Sequence, residues 1–160
     1  MVKIFLGGVI IILCTAIGKK YTVKHLHKLR FYECLAQFNL LLKQNLMFKY
    51  DNLLNLLNFE TENQDFKATL DSFKLYKSNT FNNLDLYFPY WADDEDKQFL
   101  TNYFTCLGKG NSDSEMENLV FYEELIKEKL KKIADKSNKF SNLGQKLGFA
   151  VGMAIFIIIL

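Results

Sequence analysis

Proline is almost missing from this chain, and valine and isoleucine are scarce over most of it. Pro89 is the single proline. Between Lys19 and Asn142 the only Val and Ile residues are Val23, Val120, Ile126 and Ile133. Strands draw on β-branched residues, so their scarcity argues against a sheet and leaves helices. Cysteine is sparse too. Cys14, Cys34 and Cys106 stand far apart, with no C-x-x-C and no histidine at ligand spacing. That excludes a disulfide framework or a zinc site and predicts buried free thiols in a reducing compartment. The formal net charge is only +2 and no basic run is interleaved with aromatics, which argues against nucleic acid as a partner.

Catalytic constellations are lacking as well. His25 and His27 lie two apart, on different sides of a helix, and so cannot share a metal. Gly108-Lys109-Gly110-Asn111-Ser112 lacks the spacing of a phosphate loop and follows a helical pattern, so it reads as a turn between helices. No nucleophile–base pair or carboxylate dyad appears. The expectation is a chain with no catalytic, cofactor-binding or metal-binding residues, and not an enzyme.

What the chain does have is an apolar stretch at each end. Residues 4–17 read IFLGGVIIILCTAI and residues 147–160 read LGFAVGMAIFIIIL. A run of about 14 residues makes about 21 Å of helix against a hydrocarbon core of about 30 Å. Snorkelling by Lys3 and extension through residues 143–145 lengthen the two spans. A cleaved signal peptide would want small residues near the cut, and Cys14-Thr15-Ala16 imitates them poorly. Leu13 is too large to precede a lipid-modified cysteine. A buried core helix is the remaining alternative. The reading adopted is an N-terminal transmembrane anchor over residues 1–20 and a C-terminal transmembrane helix over residues 143–160.

Charge orients the pair. Lys19, Lys20, Lys24, Lys28 and Arg30 follow the first segment, and Lys127, Lys129, Lys131, Lys132, Lys136, Lys139 and Lys146 precede the second. The outer flanks carry only Lys3 and the terminal amine. Cytoplasmic flanks attract Lys and Arg, so the middle domain, residues 21–142, is expected in the cytoplasm with both ends across the membrane. Gly144, Gly148 and Gly152 form a doubled G-x-x-x-G that lines one helix face and admits a second helix closely. That face would pack on Gly7-Gly8, on a partner, or on a second copy of the chain.

The middle reads as helices throughout. A first runs over about residues 22–46 and turns apolar from Phe31, with Cys34, Leu35, Phe38, Leu41 and Leu42 on one wide face. Leu53, Leu54, Leu56 and Leu57 suggest a short buried helix. Thr61 with Gln64 makes a capping box that opens a helix burying Phe66, Leu70, Phe73 and either Leu75 or Tyr76. Residues 79–91 are irregular, and Pro89 there forces Phe88 towards an extended backbone. Asp93 with Asp96 starts a helix whose stripe is Phe99, Leu100, Tyr103, Phe104 and Leu107, ended by Gly108 and Gly110. Ser112 with Glu115 is a further capping box. It opens the longest helix, seamed by Met116, Leu119, Tyr122 or Glu123, Ile126, Leu130, Ile133 and Phe140, with Glu123–Lys127, Glu128–Lys132 and Asp135–Lys139 four apart outside.

These patterns resemble the stage III sporulation protein AB family over nearly the whole chain. The resemblance is strongest where Asp93-Asp94-Glu95-Asp96 leads to Leu107-Gly108, then Ser112-Asp113-Ser114-Glu115, a long charged helix, and Leu143-Gly144-Gln145-Lys146-Leu147-Gly148-Phe149. Residues 47–53 lack the proline-containing turn that family members tend to carry, which marks a divergent member. The resemblance implies an antiparallel bundle of about six helices, like the domain of type II secretion F proteins, flanked by the two anchors. It further implies a structural platform in the channel-like complex between mother cell and forespore, in the outer forespore membrane on the mother-cell side. Its partners would be other stage III sporulation membrane proteins and a cytoplasmic secretion-type ATPase. Trp91, Asp93, Asp94 and Asp96, beside Tyr90, are the candidate patch for that ATPase. Two other roles fit the lysine-rich last helix and the layout: a regulatory adaptor or anionic-lipid-surface sensor, and a platform of a general type II secretion or type IV pilus system.

Overall fold

The computed structural model describes the backbone of residues 2–48, 53–78 and 84–159. It describes side chains at residues 16, 23–47, 53–78, 84–136, 150, 151, 153, 154 and 157. Five helices follow in order among the described residues: α1 (Val2–Phe48), α2 (Leu53–Leu56), α3 (Gln64–Lys77), α4 (Asp94–Cys106) and α5 (Ser112–Ile159). The all-α expectation holds, with no strand among the described residues. Each apolar end lies in the same continuous helix as a stretch of the middle domain. A lone glycine such as Gly18 costs only about 1 kcal/mol inside a helix, and no proline interrupts either run. Among the described residues no helix is long and apolar enough to cross a membrane. Most side chains of residues 4–17 and 147–160 lie outside that set, as do Gly144, Gly148 and Gly152.

The chain divides into two compact units, one of residues 30–131 and one of residues 1–29 with 132–160. The core of the first unit is aromatic. Phe31, Tyr32, Phe38, Phe66, Phe73, Trp91, Tyr103 and Phe104 are buried, with Leu35, Leu70, Leu100 and Ile126 between them. Their rings meet edge-on or tilted, as their quadrupoles prefer: Phe31 to Trp91 at 5.0 Å, Phe31 to Phe66 at 5.3 Å, Tyr103 to Tyr122 at 5.1 Å. Within this unit α1 and α5 are antiparallel. Asn39 donates to the Leu119 carbonyl at 3.0 Å, and further back along α1 the Tyr32 ring lies 5.9 Å from Lys129 Nζ, further on along α5. In the second unit Ile133 is buried and His25 is half-buried.

Several local expectations are corrected by what the side chains reach. α3 is capped by Asn63, not Thr61: Asn63 Oδ1 accepts from Phe66 N at 3.0 Å, while Thr61 Oγ1 accepts from Asn63 N at 3.1 Å and shapes the turn before the cap. α5 is capped by Asn111, one residue before Ser112. Its Oδ1 accepts from Ser114 N at 2.9 Å and its carbonyl accepts the first helical bond from Glu115 N. The short α2 is half-buried, with Leu57 just beyond it in the core. Leu75 is 48% exposed, since α3 spends its inner face on Phe66, Thr69, Leu70 and Phe73. Gly108 ends α4 at φ +69, and a Cβ there would sit 2.8 Å from Leu53 Cδ2, so both backbone and space require glycine.

Candidate partner-binding surface

The start of α4 carries the expected capping box. Asp93 Oδ1 accepts from Asp96 N at 2.9 Å, and Asp96 Oδ2 accepts from Asp93 N at 3.3 Å. Two orphan amide donors are thereby satisfied at a helix end that also favours negative charge. Asp93, Asp94 and Glu95 face solvent, but Asp96 is wholly buried. Its Oδ1 accepts from the Tyr32 hydroxyl at 2.8 Å, and Lys129 Nζ lies 3.9 Å away. Lys129 reaches Glu95 at 2.7 Å and sits 5.1 Å from the centre of the Phe99 ring. Burial, with Asp96 second, raises the Tyr32 pKa well above the usual phenol range, so this hydroxyl keeps its proton and donates it to Asp96.

Trp91, read from sequence as exposed, is 1% exposed. Its indole packs against Phe31 and its Nε1 donates to Asp65 Oδ2 at 3.1 Å, so the one tryptophan is both a core filler and a hydrogen-bond partner of α3. The segment before it is strapped to α3 in the same way. Tyr87 N donates to Ser72 Oγ at 2.9 Å, and the Thr69 hydroxyl lies within reach of both the Asp65 and Tyr87 carbonyls. Ala92 N then closes a turn onto the Pro89 carbonyl at 3.0 Å. That turn leaves Tyr90 outside, 68% exposed. Of the four predicted patch residues, Trp91 and Asp96 therefore belong to the interior. Asp93 and Asp94 remain on the surface, joined by Glu95 and Tyr90.

Tyr32, Asp65 and Lys129, which hold this region together, went unflagged in the sequence. No local signal marks them: Tyr32 lies 64 residues from Asp96, and each looks like an ordinary helix residue. Elsewhere Asn39, also buried, accepts from the Tyr103 hydroxyl at 3.2 Å. Glu123 is bridged by Lys43 at 2.6 Å and by Lys127 at 2.5 Å. Those two bonds, Lys127 first, hold its carboxyl below the usual carboxylate range. Burial and then Cys106 push the Tyr122 pKa up to about 12. Cys34 and Cys106 are free thiols.

Among the described residues these polar groups hold one another. Among the described residues, an apolar hollow of about 80 Å³ is lined by Leu42, Leu46, Leu53, Leu56, Leu107 and Leu119, and a more polar one of about 290 Å³ by Leu57, Asn58, Glu60, Thr61, Lys67 and Asp71, the second at the lower edge of the ~300–1,000 Å³ of small-molecule sites. Among the described residues no group of three or more His, Cys, Asp or Glu could hold a metal ion.

Comparison with known families places the surface in context. The model of the family described as Stage III sporulation protein AB matches residues 89–160. That span opens at Pro89, takes in Tyr90 and the whole acidic start of α4, and runs to the end of the chain. No curated protein and no solved structure matches the chain.

Proposed function

We propose that this chain, whose residues 89–160 match the stage III sporulation protein AB family, acts in sporulation as a non-enzymatic, membrane-anchored structural platform. Residues 1–20 and 143–160 anchor it. The helical body of residues 21–142 stands on the mother-cell side of the outer forespore membrane and engages a secretion-type ATPase within the sporulation channel complex. The observation that carries the reading is the family match over 89–160, which holds both the exposed acidic surface and one apolar end. Two further features support it. The apolar ends are flanked by lysines on their inner sides, the pattern of two spans around a cytoplasmic loop. The body also fills its interior with rings and paired polar groups, leaving its surface to do the work.

The ATPase-facing patch is Tyr90, Asp93, Asp94 and Glu95. An exposed aromatic beside three carboxylates suits a basic partner surface, where charge sets encounter and an aromatic anchors. Asp93 also caps α4 and is best left intact. The test is a pull-down of the secretion-type ATPase by the full chain in detergent, comparing the parent with a Tyr90→Ala/Asp94→Lys variant. Capture is expected to fall by roughly tenfold or more. Equal capture by both would remove the patch from the reading.

A further inference from the structure

The two units of the chain differ in charge. Residues 1–29 and 132–160 hold nine lysines against one acid, Asp135, a formal +8. Residues 30–131 hold eleven basic and seventeen acidic residues, a formal −6. Within this acidic unit the exposed carboxylates at the start of α4 are not equivalent. Asp94 is tied to Lys97 Nζ at 3.5 Å, a long contact between two exposed side chains of one helix. Glu95 is held more closely, with its carboxylate 2.7 Å from Lys129 Nζ of α5. The two halves of that pair are unlike. The Lys129 side chain is 19% exposed, and its ammonium lies 5.1 Å from the centre of the Phe99 ring, 5.9 Å from that of Tyr32 and 3.9 Å from buried Asp96 Oδ1. The Glu95 side chain is 82% exposed. Lys129 is the fixed half, and Glu95 is the half able to leave.

We infer that Glu95 is an exchanging carboxylate, held by Lys129 in the unbound chain and passed to a lysine or arginine of a basic partner on docking. The inference rests on the partner surface proposed above and gives its contacts an order: Asp94 meets the partner, and Glu95 follows by changing one cation for another. When Glu95 turns away, Lys129 keeps a buried carboxylate and two ring faces, so no cation is stranded. The turn itself is a rotamer change of an exposed side chain, which is fast. The occupant is basic because the unit that offers the surface carries −6, which steers cations in and turns anions away. Lys129 also makes the surface selective. A partner without a cation at this point has to leave Glu95 on Lys129 or strip it of a pair, and gains nothing from either.

Titrated pull-down of the secretion-type ATPase by the full chain in detergent tests this with Asp94→Asn, Glu95→Gln, Lys129→Met and Glu95→Gln/Lys129→Met. Methionine keeps an apolar stem over the two rings and removes the charge. Asp94→Asn should weaken capture about fivefold, the worth of one exposed ion pair. Glu95→Gln alone should change capture less than about twofold, because Glu95 has an ion pair before and after docking. Lys129→Met should strengthen capture about fivefold, and adding Glu95→Gln should take that gain away. Lys129→Arg should behave as the parent does. Equal losses from Glu95→Gln in the parent and in Lys129→Met overturn the inference, as does weaker capture by a folded Lys129→Met chain. Thermal unfolding followed in the far-UV is read alongside, where Glu95→Gln should move the midpoint by less than about 1 °C. A fall of about 3 °C or more would make Glu95 a structural residue and overturn the exchange. If Lys129→Met does not fold, the parent background decides, and equal losses from Asp94→Asn and Glu95→Gln overturn the inference. Capture with independent losses removes the exchange and leaves the partner reading. No capture by any chain removes both.

Discussion

Asp96 serves two structures at once. One carboxylate oxygen completes the capping box of α4, while the other accepts from the Tyr32 hydroxyl deep in the core. A buried carboxylate persists only where donors converge on it, and here they are a backbone amide, a phenol and the nearby Lys129. Removing the phenol oxygen leaves one lone-pair direction empty at a site with no room for bulk water. Tyr32→Phe is expected to lower the unfolding free energy by about 1.5–3 kcal/mol, read by chemical denaturation followed in the far-UV. A change below about 0.5 kcal/mol, the level of an ordinary surface substitution, would show that Lys129 and the cap suffice to hold Asp96. The same residue shows what spacing rules can and cannot see. Asp93 and Asp96 were legible as a cap because the pairing is three residues long. Whether Asp96 was exposed could not be read, because its burial depends on α1 arriving from 64 residues away.

Helix ends in this chain are decided by which side chain reaches the open amides, and composition alone ranks the candidates poorly. Asn63 and Thr61 compete before α3, and Asn111 and Ser112 before α5, and in each case asparagine takes the cap. Asparagine and serine have similar capping strength, so the phase of the helix decides, and that phase is set by packing of Leu119, Tyr122 and Ile126 against the core. Asn111→Ala is expected to cost about 1 kcal/mol of stability and Ser112→Ala less than half of that, in the same denaturation experiment. The reverse order would return the cap to Ser112. At this scale the sequence was most informative where a stripe and a stop coincide. The Phe99, Leu100, Tyr103, Phe104 and Leu107 stripe and the Gly108 stop all lie where the spacing put them, since one glycine at positive φ both ends α4 and fits against Leu53. Trp91 was misplaced because aromatic residues beside a proline turn look alike from sequence. In the fold Trp91 goes in, its ring against Phe31 and its indole N–H on Asp65 of α3, while Tyr90 stays out.

For the whole molecule the charge separation carries the most consequence. Segregating +8 from −6 is costly in self-repulsion within each unit. It suits a cationic part beside an anionic membrane and an acidic part offered to a basic partner. Under the proposed topology, single cysteines introduced near Lys3 and near Leu160 in a cysteine-free background should react with an impermeant reagent added to the outer side of the membrane. A single cysteine at an exposed body position such as Lys67 should react only after permeabilisation. Ready labelling at Lys67 from outside would remove the ATPase-facing platform.

Helicity, the cap and stop of α4 and the apolar ends follow from residues within a few positions of one another. They follow because helix period, capping and hydropathy are short-range physics. The division of labour among chemically equal residues follows from contacts spanning tens of residues: Trp91 inward and Tyr90 outward, Asp96 buried and Asp94 exposed, Lys129 laid over Tyr32 and Phe99. Tyr32 and Asp96, 64 residues apart, become one hydrogen-bonded pair only when α1 and α4 meet, because polar groups pair through space and not along the chain.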